Sequence, residues 1–137
     1  MNSDRVLLEV KGLRTYFPLD EGTVRAVDGA DFVIKRGKTL GIVGESGCGK
    51  SVTAQSILRI VPPPGKIIEG ELLYYRYAED RDSFAMADVI DLAKLDSKGP
   101  DIRGIRGNEI SMVFQEPMTS LSPVHTMGNQ IMENIVL

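Results

Sequence analysis

The sequence is poor in the residues that build covalent or metal-bound frameworks. It holds one cysteine, Cys48, one histidine, His125, and no tryptophan among 137 residues. A single thiol excludes an internal disulfide and any cysteine-built zinc or iron–sulfur site. No apolar run approaches the roughly 18 residues that a membrane-spanning helix needs. Asp4, Arg5 and Glu9 interrupt the first residues, so no secretory signal core is expected. Neither sign of charge dominates: 16 Lys and Arg oppose 19 Asp and Glu, a net charge of −3. The basic residues are scattered rather than striped, which leaves no electrostatic footprint for nucleic acid. With 42% hydrophobic and 26% charged residues, the balance is that of one soluble domain suited to a reducing cytosol.

What is present is glycine in a telling arrangement. Gly44 to Ser51 reads G-E-S-G-C-G-K-S and fills the G-x-x-x-x-G-K-[ST] template of a phosphate-binding loop. A short apolar run, Thr39-Leu40-Gly41-Ile42-Val43, precedes it and suits a buried parallel strand. Val52 to Ile60 follows, with Ala54, Ile57, Leu58 and Val61 at helical spacing. An ordinary glycine-rich turn is the plain alternative, but all four fixed positions match and both flanks agree. Gly44, Gly47 and Gly49 allow the backbone to wrap closely around a phosphate. The loop amides point inward, and the helix beginning near Lys50 adds its positive end. Lys50 is expected to reach the β- and γ-phosphates, and the Ser51 hydroxyl to hold Mg²⁺. The nucleotide-contacting set expected from the loop is Gly44, Glu45, Ser46, Gly47, Cys48, Gly49, Lys50, Ser51 and Val52. Cys48 fills a variable loop position where the backbone amide is what matters, although Lys50 and the helix end beside it favour a thiolate.

Around this loop, Val6, Leu8 and Val10 alternate with Leu7, Glu9 and Lys11, the pattern of a half-buried strand. Val24 to Ile34 reads as a second extended stretch, and Lys35-Arg36-Gly37-Lys38 as a turn. The first segment is therefore expected to be antiparallel and β-rich. The helix after Ser51 must stop by Pro62-Pro63-Pro64-Gly65. Glu71 to Tyr75 reads as a strand, Asp101 to Arg106 as a helical turn, and Ile110 to Phe114 as a compact apolar strand ending at Gln115. Arg76 to Gly99 is rich in acids and reads as a solvated surface excursion, with a short amphipathic segment around Val89, Leu92 and Leu95.

A second diagnostic stretch, Met112-Val113-Phe114-Gln115-Glu116-Pro117-Met118-Thr119-Ser120-Leu121, joins the phosphate loop. Together they resemble the ATPase subunits of ABC transporters, and more narrowly the dipeptide, oligopeptide and nickel importer branch. Val24-Arg25-Ala26-Val27-Asp28-Gly29 and Ser122-Pro123-Val124-His125-Thr126-Met127-Gly128-Asn129-Gln130-Ile131 are similar to that branch too. The resemblance implies an α/β fold: a P-loop NTPase core with an N-terminal antiparallel β-subdomain. It divides the chain into a mainly β stretch (1–38), the P-loop strand, helix and following strand (39–75), a variable surface insertion (76–100), a strand and Q-loop (101–120) and the start of a helical subdomain (121–137). It implies ATP and Mg²⁺ as cofactors, with Gln115 reaching the metal or the attacking water through its amide oxygen. It implies an aromatic adenine platform at Tyr16 or Phe17, which strand alternation sends to opposite faces. His125 lies too close to Gln115 to be the family's switch histidine and reads as structural or surface.

The implied partners are transmembrane permease subunits, a second ATPase subunit and, indirectly, a substrate-binding protein. The implied location is peripheral, on the cytoplasmic face of a bacterial inner membrane. The family's signature loop, acidic metal-binding strand, catalytic glutamate and switch histidine are expected downstream, and none lies in these 137 residues. Losing one preorganised transition-state group costs about 10²–10³ in rate, so this stretch by itself is expected to bind ATP without significant turnover. Two other readings stand beside the transporter: a non-catalytic nucleotide-binding module or inert remnant, and a soluble P-loop kinase or GTPase. The last is disfavoured because GTPase specificity motifs are not apparent and the Gln115 segment has no counterpart there.

Overall fold

Apolar and polar residues alternating along positions 6–35 fold into one long antiparallel hairpin. In the computed structural model, which describes residues 5–45, 47, 49–77 and 86–114, strand β1 spans Val6–Leu19 and strand β2 spans Gly22–Lys35. Asp20 and Glu21 form the two-residue turn between them. Strand β3 (Lys66–Tyr77) pairs with the other edge of β1, and β4 (Met86–Asp91) pairs with β3. All pairings are antiparallel, in the order β2-β1-β3-β4.

The strands of the hairpin run further than the alternation at Val6–Val10 suggests, because the pattern changes parity part-way. Leu8 and Val10 are buried at even positions, then Leu13 and Thr15 at odd ones. The register of β1 shifts between Val10 and Leu13, around Gly12 at φ 55°. A bulge inserts one residue and so exchanges the faces. Gly70 of β3 closes the bulge from the other side: at φ 114°, a Cβ there would strike Leu13 and Gly12 backbone atoms.

One face of this sheet is covered. Helix α1 (Lys50–Ile57) lies between β2 and β3, and a 3₁₀ turn (Leu92–Lys94) and helix α2 (Pro100–Ile105) follow β4. The core joins Leu8, Val10, Leu13, Val27 and Leu72 to Leu92, Ile102 and Ile105. Leu92 is fully buried and Asp91 caps its turn by accepting from Ala93 N at 3.0 Å. The 76–99 stretch is therefore not simply a surface excursion: it supplies an edge strand and a core side chain. Its acid-rich composition hides this, because Asp91 of β4 turns inward, where its carboxylate accepts from Leu72 N and Ala93 N, both at 3.0 Å.

Two further expectations change. Helix α1 ends at Ile57 rather than reaching Ile60, with Leu58 at its C-cap and Arg59 at φ 58°. The reason comes from far along the chain. Arg106 donates to Leu58 O and Arg59 O, both at 2.6 Å, and so satisfies carbonyls that a helix end leaves open. The runs Thr39–Val43 and Ile110–Phe114 are not strands; only Ile110 forms an isolated bridge, to Arg106. Val43 is 93% and Val113 94% exposed. A strand apolar on both faces needs hydrogen-bonded neighbours, and among the described residues no strand pairs with either run.

Candidate phosphate-binding site

The phosphate loop sits where β2 meets the start of α1. Gly47 adopts φ 83° and Gly49 φ 96°, left-handed values that favour glycine. A Cβ at Gly49 would drive into the Ala26 carbonyl oxygen, so the loop packs against β2 in a way only glycine allows. Gly49 is the N-cap of α1 and no side chain caps that end. The first-turn amides are thus left to the loop, solvent or a ligand. Inside the turn, Thr53 Oγ1 donates to Gly49 O at 2.7 Å and Thr53 N to the same oxygen at 2.9 Å, which fixes the helix start.

Lys50 folds back over its own loop. Its ammonium donates to Gly44 O and reaches Glu45 O at 3.5 Å. Ser51 is exposed on the first turn and Val52 half-buried against the core. Ser46, Cys48, Gln115 and His125 lie outside the described residues. Gly44, Glu45, Gly47, Gly49, Lys50, Ser51 and Val52 are therefore brought together, as their contiguity requires.

A cleft of about 560 Å³ opens beside this loop, within the size usual for ligand sites. Asp28, Gly29, Leu40, Ile42, Gly49 and Lys50 are among its lining residues. Tyr16 is tied to it, because its hydroxyl donates to Asp28 Oδ1 at 2.6 Å. That hydrogen bond, then burial, pushes the Tyr16 phenol above its ordinary range. Arg25 lies 5.7 Å over the Tyr16 ring, and Arg14 Nε stands 3.4 Å from Asp28 Oδ1. Phe17 is placed differently: its ring lies against Gly65 and Val61, where a Cβ on Gly65 would collide with it. The two aromatic rings thus point to different surroundings, as alternation requires.

Asp28 is the residue that sequence reasoning leaves out. It lines the cleft, holds Tyr16 and faces Arg14. A signal existed in its pattern: an acid next to the buried Val27, in a strand opposite a basic residue of β1. Its register partner in β1 is Arg14.

The loop suits Mg-ATP on the donor set it offers: glycine-shaped backbone at Gly47 and Gly49, uncapped amides at the start of α1, one ammonium and one hydroxyl. Among the described residues no group of three or more His, Cys, Asp or Glu side chains could hold a metal ion unaided, and no helix is long and apolar enough to cross a membrane.

Comparison with known proteins gives the lineage. The family profile described as ABC transporter matches residues 27–135. The chain is 46% identical over 131 residues to a probable peptide ABC transporter ATP-binding protein, y4tR, of Sinorhizobium fredii, covering 95% of this chain and 35% of that one. It is 45% identical to the oligopeptide transport ATP-binding protein AppD of Bacillus subtilis, again over 95% of this chain and 35% of the relative. The dipeptide transport ATP-binding protein DppD of the same organism is 43% identical over the same shares. The chain thus spans about a third of the length of these curated relatives. With a family profile covering most of its length and the loop geometry in place, this chain belongs to the ABC transporter family.

Proposed function

We propose that this chain binds MgATP as the nucleotide-site portion of an ATPase subunit powering peptide import. One observation carries the reading. Lys50, Gly49 of the loop and Asp28, which anchors Tyr16, all border one cleft. A triphosphate laid on the loop would replace the Gly44 and Glu45 carbonyls as the partner of Lys50. Ser51 would supply a hydroxyl to Mg²⁺ and Gln115 an amide oxygen. Tyr16 is the preferred stacking ring, since Phe17 packs against Gly65 and Val61. Mg²⁺ supplies charge neutralisation at the phosphates when bound.

Peptide or oligopeptide is the substrate class proposed for the complete subunit, on the names of its relatives. Permease subunits, a second ATPase subunit and a peripheral position on the inner membrane belong to the same proposal. This stretch alone is proposed to bind without significant turnover, because the expected signature loop and catalytic glutamate are not among its residues. Nucleotide binding and phosphate release, measured side by side on this chain and on a Lys50→Ala variant, test both halves. Saturable MgATP binding that needs Lys50, without phosphate release above the variant's background, is the expected result. Release above that background overturns the second half.

A further inference from the structure

At the far end of α1, a second and smaller pocket of about 170 Å³ is lined by Arg59, Val61, Gly65, Lys66, Ile67 and Ser97. A single water needs only about 10–15 Å³ of such space, so the pocket has room for a larger group. It holds two cationic side chains and no acid among its lining residues.

The two arginines here behave differently. Arg106 makes three hydrogen bonds: Nε donates to Leu58 O at 2.6 Å, and one terminal nitrogen donates to Arg59 O at 2.6 Å and Ser97 O at 2.9 Å. It is a structural tie between the end of α1 and the loop before α2. Arg59 is not engaged in the same way. One terminal nitrogen donates to Leu95 O at 3.2 Å, while its Nε is buried without a hydrogen-bond partner among the described residues. A buried donor left open is unfavourable, and native structures keep few of them. Arg59 also holds φ 58°, a left-handed conformation that a non-glycine residue adopts at a cost. Strain of this kind gathers at binding sites. Burial, then the nearby charges of Arg59 and Arg103, lowers the Arg106 pKa from its ordinary value. The whole corner is therefore rich in positive charge that no carboxylate neutralises from within the pocket.

We infer that Arg59, Lys66 and Ser97 form a binding pocket for a small tetrahedral oxyanion of the phosphate class, separate from the phosphate loop. The bound oxygens would accept from the Arg59 guanidinium and from the Lys66 ammonium, balancing the charge. The pocket stands at the C-terminal end of α1, eight residues and roughly 12 Å from the loop at its start. No part of the MgATP reading depends on it.

The test uses the whole chain carrying Lys50→Ala, so that the phosphate loop contributes as little as possible, titrated with inorganic phosphate and followed by residue-resolved amide shifts. Saturable shifts at 59–67 and 97 are expected. Arg59→Gln and, separately, Lys66→Gln on that background should weaken binding about tenfold or more. Lys66 is exposed, so its substitution leaves the fold intact and keeps the test decisive if Arg59→Gln does not fold. Lys11→Gln, at a half-exposed lysine of β1 away from the pocket, should change nothing. Shifts that never saturate, equal weakening by Lys11→Gln, indifference to Lys66→Gln, or tighter binding of acetate than of phosphate would each overturn the assignment.

Discussion

Thr15 Oγ1 lies 2.8 Å from Ser56 Oγ, and both residues are fully buried. Ser56 spends its only proton on Val52 O at 2.7 Å, so Thr15 is the donor in this pair. The bond fastens β1, which carries Tyr16 at the next position, to α1, which begins with Lys50 and Ser51. It is a polar clamp between the proposed base platform and the phosphate loop. Ser56→Ala should leave the Thr15 hydroxyl buried without its acceptor and cost about 1–3 kcal/mol. Thr15→Val should cost less, about 1 kcal/mol, since Ser56 keeps its bond to Val52. Urea unfolding of both single variants and the double variant checks this: the double should cost less than the sum.

Gly49→Ala should be more damaging to binding than its size suggests. The residue holds φ 96° and has the Ala26 carbonyl in the place a Cβ needs. The loop must move away from β2, at a cost of about 1–3 kcal/mol, and its amides move with it. MgATP affinity should fall together with thermal stability. Unchanged affinity in a folded Gly49→Ala protein would mean that the loop shape does not govern binding.

Tyr16 should ionise above the ordinary tyrosine pKa of about 10, chiefly because its hydroxyl donates to Asp28. The sign follows from the raised value. The interaction stabilises the fold fully below the unfolded tyrosine pKa and is lost as pH climbs through the folded one. Asp28→Ala should move this ionisation down, as read by phenolate absorbance with Tyr16→Phe used to assign the signal. Tyr16→Ala should weaken MgATP binding by about 1–3 kcal/mol if its ring carries the base, with unchanged affinity pointing to Phe17 instead.

Leu92→Ala should cost about 2–5 kcal/mol, because the side chain is fully buried beside Leu72, Ile102 and Ile105. A solvated excursion would tolerate it. Thermal unfolding distinguishes the two outcomes directly.

The features legible from sequence are those fixed locally. The glycines of the phosphate loop, the turn at Arg36-Gly37, the strand at Glu71–Tyr75 and the helical turn before Arg106 each announce themselves through short-range backbone chemistry. What escaped depends on partners distant in sequence. The Gly12 bulge reverses the burial pattern of β1, so a single alternation cannot be followed past Val10. The end of α1 is set by Arg106, 47 positions beyond Arg59. Leu92, which the sequence places in a short amphipathic segment, is buried by helix and strand residues distant from it in the chain. The Thr39–Val43 and Ile110–Phe114 runs show the reverse problem. Their apolar content satisfies the rule for a central strand, yet extended pairing needs a neighbour, and the four-stranded antiparallel sheet provides none at either run. Within the site, contiguous residues were readable, whereas Asp28 enters only through the folding of β2 against β1.

The most direct test of the account is a calorimetric titration with MgATP of this chain, folded as judged by circular dichroism, beside a Lys50→Ala variant of matching spectrum. Saturable heat in the first, weakened about tenfold or more in the second, is the predicted result. A folded chain that releases no heat, or one whose binding ignores Lys50, would contradict the claim that residues 44–51 cradle a nucleoside triphosphate.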